Sequence, residues 1–173
     1  MKRLIITSAL MVAMLLIGLV LAGPGCTKTP SEFEASGTIE MTEKLMDSNP
    51  ETENGKMTYE GNTAHSDVHG TQEGTIVIEN TMVIDLASGS YTMEGQGTFT
   101  GTVKGKSGSY VFSSVASGQF TSPMGASGEG TGEITIISGT DELTNLRGSL
   151  HVEHRFDETG RTETYSGTLR FEE

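Results

Sequence analysis

Three side chains that could bind a metal ion, His65, Asp67 and His69, alternate along one short segment. In an extended strand they point to one face, with about 6.5–7 Å between successive side chains. Two imidazoles and a carboxylate on one face can hold a transition metal. Met57 and Tyr59 have the same parity, so an unbroken strand would aim the cluster into the mouth of a barrel. The alternative, which this loosely constrained spacing favours, is three solvated polar side chains on an exposed strand or loop.

Arg147 and two further histidines are the other residues that could take part in a site. Arg147 lies within Leu146-Arg147-Gly148 and could form a structural ion pair or contact a ligand. His151 and His154 lie on opposite faces of a strand and are both interpreted as structural. The sequence contains no nucleophile elbow, phosphate-binding loop, dinucleotide fingerprint or calcium loop. It therefore predicts no catalytic residue and identifies no cofactor.

The first 25 residues have the pattern of a targeting segment. Lys2 and Arg3 precede 19 uncharged residues, Leu4 to Ala22. A basic end followed by an apolar run is typical of a secretory signal. The run is also just long enough to span a bilayer at about 1.5 Å per residue. Residues 1–25 are thus a cleaved signal peptide or a retained membrane anchor, and both place the rest of the chain outside the cytoplasm.

Cys26, the single cysteine of the chain, directly follows this segment. Its surroundings resemble a lipoprotein signal, in which the cysteine becomes the acylated first residue, although Pro24 and Gly25 separate it from the expected Leu-Ala-Gly. Cys26 is therefore a lipidation candidate, with an unreactive linker thiol as the alternative. Lipid-anchored, uncleaved and released forms all stay open. Residues 26–34, which are polar and contain Pro30, are predicted to form a tether.

The charge and cysteine content exclude several classes of partner and site. The chain has 11 basic and 23 acidic residues, a formal net charge of −12. Nucleic acid requires a basic footprint, and an anionic lipid surface attracts basic segments. Neither is therefore an expected partner of the folded part. A single cysteine excludes an intramolecular disulfide framework and a multi-cysteine zinc site.

Residues 35–173 have the alternation expected of β-strands. Leu, Ile, Val and Phe supply only 26 of residues 26–173, and such a low share with high net charge is typical of disordered chains. Against disorder, apolar residues recur at every second position, separated by Thr or charged residues. Period two is the signal of half-buried strands. Clear examples are Ile76 with Ile78, Tyr91 with Met93, Leu150 with Val152, and Leu169 with Phe171.

Turn sequences separate these segments and favour a closed sheet. They include Asn54-Gly55, Ser88-Gly89 and the glycine-rich stretch from Gly105 to Gly108. Several short strands at this spacing indicate an antiparallel barrel or sandwich, and a barrel is favoured because closure removes exposed edges. The stretch 57–79 is predicted to hold two strands that meet near Gly70 or one long bent strand.

A series of glycine-rich phrases resembles a bacterial domain-of-unknown-function family of small barrels. In chain order the most informative are Gly105-Lys106-Ser107-Gly108-Ser109-Tyr110, Gly130-Thr131-Gly132 and Leu146-Arg147-Gly148. That family is similar in fold to allene oxide cyclase and the dirigent proteins. The resemblance covers roughly residues 35–153 and implies an all-β, antiparallel, allene-oxide-cyclase-like barrel of about eight strands. With residues 161–173 as a last strand, the predicted barrel domain spans residues 35–173. It implies no activity, because transferring isomerase or radical-coupling chemistry would rest on fold analogy alone.

These observations support one leading functional hypothesis and two alternatives. The leading hypothesis is a non-catalytic barrel, tethered to the membrane outside the cytoplasm, that binds a small apolar ligand or a surface partner. The second is an isomerase- or cyclase-like enzyme, which would require a lumen pocket containing a buried polar group. The third is a structural component of the cell envelope. The sequence does not indicate the oligomeric state.

Overall fold

The computed structural model describes residues 31–46, 49–121, 127–157 and 160–173. These residues form nine strands and one short 3-10 helix, Asp141–Leu143. Within these ranges, no helix has the length and hydropathy needed to cross a bilayer. The strands are β1 (Ser31–Leu45), β2 (Glu51–Glu53), β3 (Lys56–Gly70), β4 (Gln72–Asp85), β5 (Ser90–Val103), β6 (Lys106–Phe120), β7 (Gly128–Gly139), β8 (Leu146–Asp157) and β9 (Gly160–Phe171).

The strands close into an antiparallel barrel. From β3 to β9 each strand pairs with the next one along the chain, and β1 pairs with both β9 and β3. Eight strands therefore form the barrel, while β2 only extends a hairpin at the start of β3. Closure pairs the backbone groups that the edges of an open sheet would expose. The prediction of an all-β, antiparallel barrel of about eight strands is confirmed.

Two strand boundaries refine the sequence prediction. The stretch 57–79 contains two strands, because β3 ends at Gly70 and β4 begins at Gln72. Strand β1 begins at Ser31, so four residues assigned to the tether belong to the sheet. Phe33 accounts for part of this extension, because its ring stacks on Phe171 of β9 with the centroids 5.8 Å apart.

The hydrophobic core fills one end of the barrel, here termed the sealed end. The rings of Phe99 and Tyr110 are buried there and stack with their centroids 4.7 Å apart. Leu143 of the 3-10 helix completes the cover between β7 and β8. The other buried members of this core are Ala35, Ile39, Val68, Ile76, Val103, Phe112, Ile134, Ile136, Leu146, Leu150, Val152, Tyr165 and Leu169.

A buried group of hydrogen bonds holds the sealed end together at the turn between β3 and β4. Tyr110 Oη donates to Gln72 Oε1 at 2.6 Å, and the Gln72 backbone N–H donates to Tyr165 Oη at 3.1 Å. Burial raises the pKa of both tyrosines, so their hydroxyls keep their protons. Buried polar groups are tolerated when they are paired in this way.

Gly37 allows β1 to approach its two neighbours closely. A Cβ atom at this position would collide with the backbone oxygen of His69 on β3 and with the ring of Tyr165 on β9. Only glycine therefore fits where β1 joins the two halves of the sheet without a shift of the backbone.

Replacing Phe99 by alanine should destabilise the barrel strongly. The side chain is fully buried, so its loss removes packing and leaves a cavity, which costs about 3–5 kcal/mol. Urea unfolding at pH 7.5 measures the change in free energy. Val115→Ala, an exposed position on β6, is the control and should stay within about 0.5 kcal/mol of the unmodified protein. Equal effects of the two substitutions would contradict the assignment of the core.

Candidate functional site

The end of the barrel opposite the core is open and is here termed the mouth. It contains a cavity of about 700 Å³ that adjoins a narrower space of about 100 Å³ reaching toward the core. The two spaces share walls formed by Lys44, Met82, Met93, His154 and Arg161. The remaining large side chains around the mouth are mainly apolar: Met46, Met57, Tyr59, Ile84, Leu86, Tyr91, Phe120 and Phe156. Asp85 adds one carboxylate to the lining of the mouth.

Methionine is the most frequent apolar residue in the lining of the mouth. Met82 of β4 lies directly opposite Met93 of β5 in the sheet register. Met46 and Met57 line the mouth, and Met41 lines the narrower space. Unbranched, polarisable thioether side chains adapt to ligands of different shape. The cavity wall is therefore apolar and deformable.

Five polar residues lie where the mouth narrows, and they are here termed the polar belt: Lys44, Tyr91, His154, Arg161 and Glu163. They come from four strands, β1, β5, β8 and β9. Arg161 Nε forms an ion pair with Glu163 Oε1. Glu163 is buried, whereas the Arg161 side chain remains 25% exposed. The belt thus places buried ionisable groups beside two cations that reach solvent, next to the apolar wall of the barrel.

His154 is a buried, neutral histidine that forms a hydrogen bond with Tyr91. The bond joins His154 Nε2 to Tyr91 Oη. Burial, reinforced by the nearby Arg161 cation, lowers the pKa of His154 to about 4. Burial also raises the pKa of Tyr91. At neutral pH the tyrosine hydroxyl is therefore the donor, and the unprotonated Nε2 is the acceptor.

Lys44 adds a second cation to the belt. Its side chain reaches water in the mouth, yet surrounding protein desolvates the ammonium and lowers its pKa. The Arg161 cation lowers this pKa further, whereas Glu163 opposes the change. Glu163 therefore pairs directly with Arg161 and acts on Lys44 through electrostatic attraction, in a chain whose formal net charge is −12.

The predicted metal cluster lies on the outer face of the barrel. The pairing of β3 with β4 shifts register between Tyr59 and Asn62, and this bulge reverses the faces of the strand that follows. Asn62 is buried inside, while His65, Asp67 and His69 take the outward positions. The condition for an inward cluster, an unbroken strand, is therefore not met.

The outward cluster is also not assembled as a set of metal ligands. His69 Nδ1 lies 3.2 Å from Glu73 Oε2 in an exposed pair. Among the described residues, no group of three or more His, Cys, Asp or Glu side chains is close enough to hold a metal ion.

The other predicted residues lie away from the mouth or outside the described ranges. Arg147 lies beside the sealed end and donates hydrogen bonds from Nη1 to the backbone oxygens of Thr144 and Leu146. Its Nε atom lies 3.6 Å from Glu172 Oε2. These contacts match a structural ion pair. His151 is partly exposed, with Nδ1 3.3 Å from a Glu133 oxygen. Cys26 precedes the described residues.

Sequence reasoning missed the polar belt, although two signals pointed to part of it. Arg161 and Glu163 have the same strand parity as the buried Tyr165, and His154 has the parity of the buried Val152. Charged or titratable residues at inward positions are unusual and often functional. Lys44 offered no such signal, because strict alternation along β1 would place it on the outer face. A bulge in β1, between Met41 and Glu43, turns it inward.

Fold and site together define a small closed barrel with one sealed end and one open, methionine-lined end. Residues 35–168 match the model of a family described as "Protein of unknown function (DUF3224)". The chain belongs to this family, which confirms the expected membership of a family of unknown function. Similarity to allene oxide cyclase and the lipoprotein signal both remain predictions.

A solved structure has the same fold. It is the crystal structure of a DUF3224-family protein of unknown function from Shewanella oneidensis MR-1. The two chains are 17% identical, with a TM-score of 0.59, and the match covers 83% of this chain and 100% of that one. No curated protein matches this chain.

Acidification should destabilise the barrel through His154. An unfolded histidine has a pKa of 6.5, whereas His154 has a pKa of about 4 in the folded state. Between these values the unfolded chain binds more protons, so the stabilisation by neutral His154 is complete above pH 6.5 and is lost as the pH falls toward 4.

Urea unfolding of the unmodified protein and His154→Gln at pH 7.5 and pH 5 measures this effect. The unmodified protein should lose on the order of 1–2 kcal/mol more than the variant over this interval. His151→Gln, three residues away and partly exposed, should keep the full pH dependence. The same slope in all three proteins would show that His154 is not a buried neutral group.

Proposed function

We propose that the barrel is a non-catalytic binding module that takes a small amphiphilic or apolar ligand into its mouth. The observation that carries this proposal is the open cavity of about 700 Å³ with a predominantly apolar wall. Small-molecule sites are typically concave, mostly apolar, about 300–1,000 Å³ in volume, and supplied with a few convergent polar groups. The mouth and the polar belt together have each of these properties.

Hydrophobic burial would supply most of the binding free energy. The mouth leaves Met57, Met93, Phe120 and Phe156 partly exposed in the free protein. Each methylene group of a ligand that leaves water for such a wall contributes about 0.8 kcal/mol. An apolar chain of several carbons therefore suffices for measurable affinity, even after the entropy of association is subtracted.

We also propose that the module acts outside the cytoplasm, held at the membrane through its N-terminal segment. The support is the basic and apolar pattern of residues 1–25 and the position of Cys26. Ser31 at the start of β1 pairs with Phe171 beside the sealed end. The five steps from Cys26 to Ser31 span at most about 18 Å. A lipid anchor at Cys26 would therefore hold the sealed end near the bilayer, with the mouth opening away from it.

Blocking the mouth should abolish ligand binding. The neutral fluorescent probe N-phenyl-1-naphthylamine should bind the unmodified protein saturably, with an increase in fluorescence. Met93→Trp places a bulky ring in the shared wall of the cavity and should weaken binding at least about ten-fold. Val115→Trp, on the exposed outer face of β6, should bind the probe as the unmodified protein does.

Urea unfolding of both tryptophan variants checks that they fold. Probe binding that Met93→Trp leaves intact, or binding that never saturates, would contradict the location of the site.

The neutral His154–Tyr91 pair favours an isomerase-like enzyme as a second candidate function. A neutral imidazole beside a tyrosine hydroxyl can accept a proton from a bound ligand and return one, which is general acid–base chemistry. Incubation in D₂O with the native ligand would test it. An enzyme of this kind incorporates deuterium at carbon, and His154→Gln abolishes the incorporation, whereas a simple binding module returns the ligand unlabelled.

A further inference from the structure

We propose that the ligand is a monoanion, an amphiphile whose single carboxylate-like group is held by Lys44 and Arg161. This inference rests on the proposed function and adds the charge of the ligand and its orientation. The acidic group would lie at the polar belt, and the apolar part would extend into the mouth.

The charges of the belt carry the inference. Lys44 and Arg161 are cations, and Glu163 is the one carboxylate among the five belt residues, so the belt itself has a net charge of +1. Asp85, the other carboxylate that lines the mouth, accepts hydrogen bonds from the backbone N–H groups of Ala87 and Ser88 instead. His154 and Tyr91 add no charge at neutral pH. An uncompensated charge in a desolvated site is unfavourable unless a partner neutralises it. One negative charge on the ligand restores the balance.

Arg161 provides a second, independent observation. Its buried Nε atom pairs with Glu163 Oε1, while the side chain as a whole remains 25% exposed and lines both spaces. Glu163 therefore orients the guanidinium group, and the exposed part of the Arg161 side chain lies at the cavity wall. A planar guanidinium group binds carboxylates with two parallel hydrogen bonds, and a lysine ammonium adds a point charge. This cation pair suits an oxyanion better than a neutral polar group.

The two volumes determine the orientation of the ligand. The space beyond the belt measures about 100 Å³, whereas the mouth offers about 700 Å³. The inner space also ends on the packed side chains of Phe112, Ile134 and Val152. Only the mouth can therefore hold an apolar chain of several carbons while the acidic group reaches Lys44 and Arg161.

The negative net charge of the whole chain opposes the binding of an anionic ligand. A protein of charge −12 repels anions at long range. Selection of an anion must therefore come from contacts inside the lumen, where desolvation strengthens each charge interaction. A cationic amphiphile would meet Lys44 and Arg161 directly, and a neutral one would leave the net charge uncompensated.

Three ligands of equal chain length test the inference: decanoate, decanol and decylamine. Each is titrated against the protein with bound N-phenyl-1-naphthylamine at pH 7.5, below the ligand's aggregation threshold. We expect decanoate to displace the probe at a concentration at least about ten-fold lower than decanol. Decylamine should be the weakest competitor.

Charge variants then assign the preference to the belt. Lys44→Met, which keeps the length of the side chain and removes its charge, should narrow the preference for decanoate over decanol to about two-fold. Glu163→Gln, which raises the net charge of the belt, should increase the preference. Lys106→Met is the matched control, because this lysine packs over the Phe171 ring at the sealed end. It should retain the full preference.

The outcomes separate this inference from the proposed function. Probe binding with equal displacement by decanoate and decanol would leave the binding module intact and overturn the anionic ligand. Preferential binding of decylamine would overturn it as well, as would a preference that Lys44→Met leaves unchanged. Absence of saturable binding of the probe and of all three ligands would instead overturn the proposed function itself.

Discussion

The pairing of β1 with both β9 and β3 is the interaction on which the rest of the structure depends. It converts an open meander into a closed barrel and creates an inside and an outside. Because side chains alternate with a period of two, the register of each pairing decides which residues enter the lumen. Gly37 lets β1 come close enough to both neighbours, and two bulges then set the parity of β1 and β3 near the mouth.

Closure with this register gives the barrel two ends that differ in side-chain packing and in charge. At the sealed end, aromatic and aliphatic side chains fill the lumen, and Gln72 is satisfied by two tyrosines. At the mouth, methionines line the wall without filling the space, and the charges of Lys44, Arg161 and Glu163 do not balance. The packed core of the sealed end stabilises the barrel, so the mouth can remain unfilled. The proposed binding of an anionic amphiphile follows from that contrast.

The architecture was predictable because its signals are local. Alternation at Tyr91 and Met93, and turn residues such as Asn54-Gly55, each act within a few residues, and the structure places strands and turns there. The positions of large apolar side chains along the strands determine the end of the barrel at which the core packs. These features need no knowledge of which strands pair across the barrel.

The candidate site was much less predictable, because it depends on non-local register. An extra residue between Met41 and Glu43 turns Lys44 inward, and the bulge before Asn62 turns His65, Asp67 and His69 outward. Neither bulge is evident from composition or periodicity, since each arises from the fit between two paired strands. His154 has inward parity, but its environment comes from Tyr91 and Arg161 on distant segments.

Native mass spectrometry of the full-length protein, purified gently from the cells that produce it, tests the central claim most directly. The account predicts a noncovalent mass excess of one small amphiphile per chain, released as a singly charged anion and absent from Met93→Trp. In the same spectrum, the covalent mass reports whether the chain begins at an acylated Cys26 or at Met1. A chain that carries no small molecule, or one whose bound molecule is released as a cation, would contradict the account.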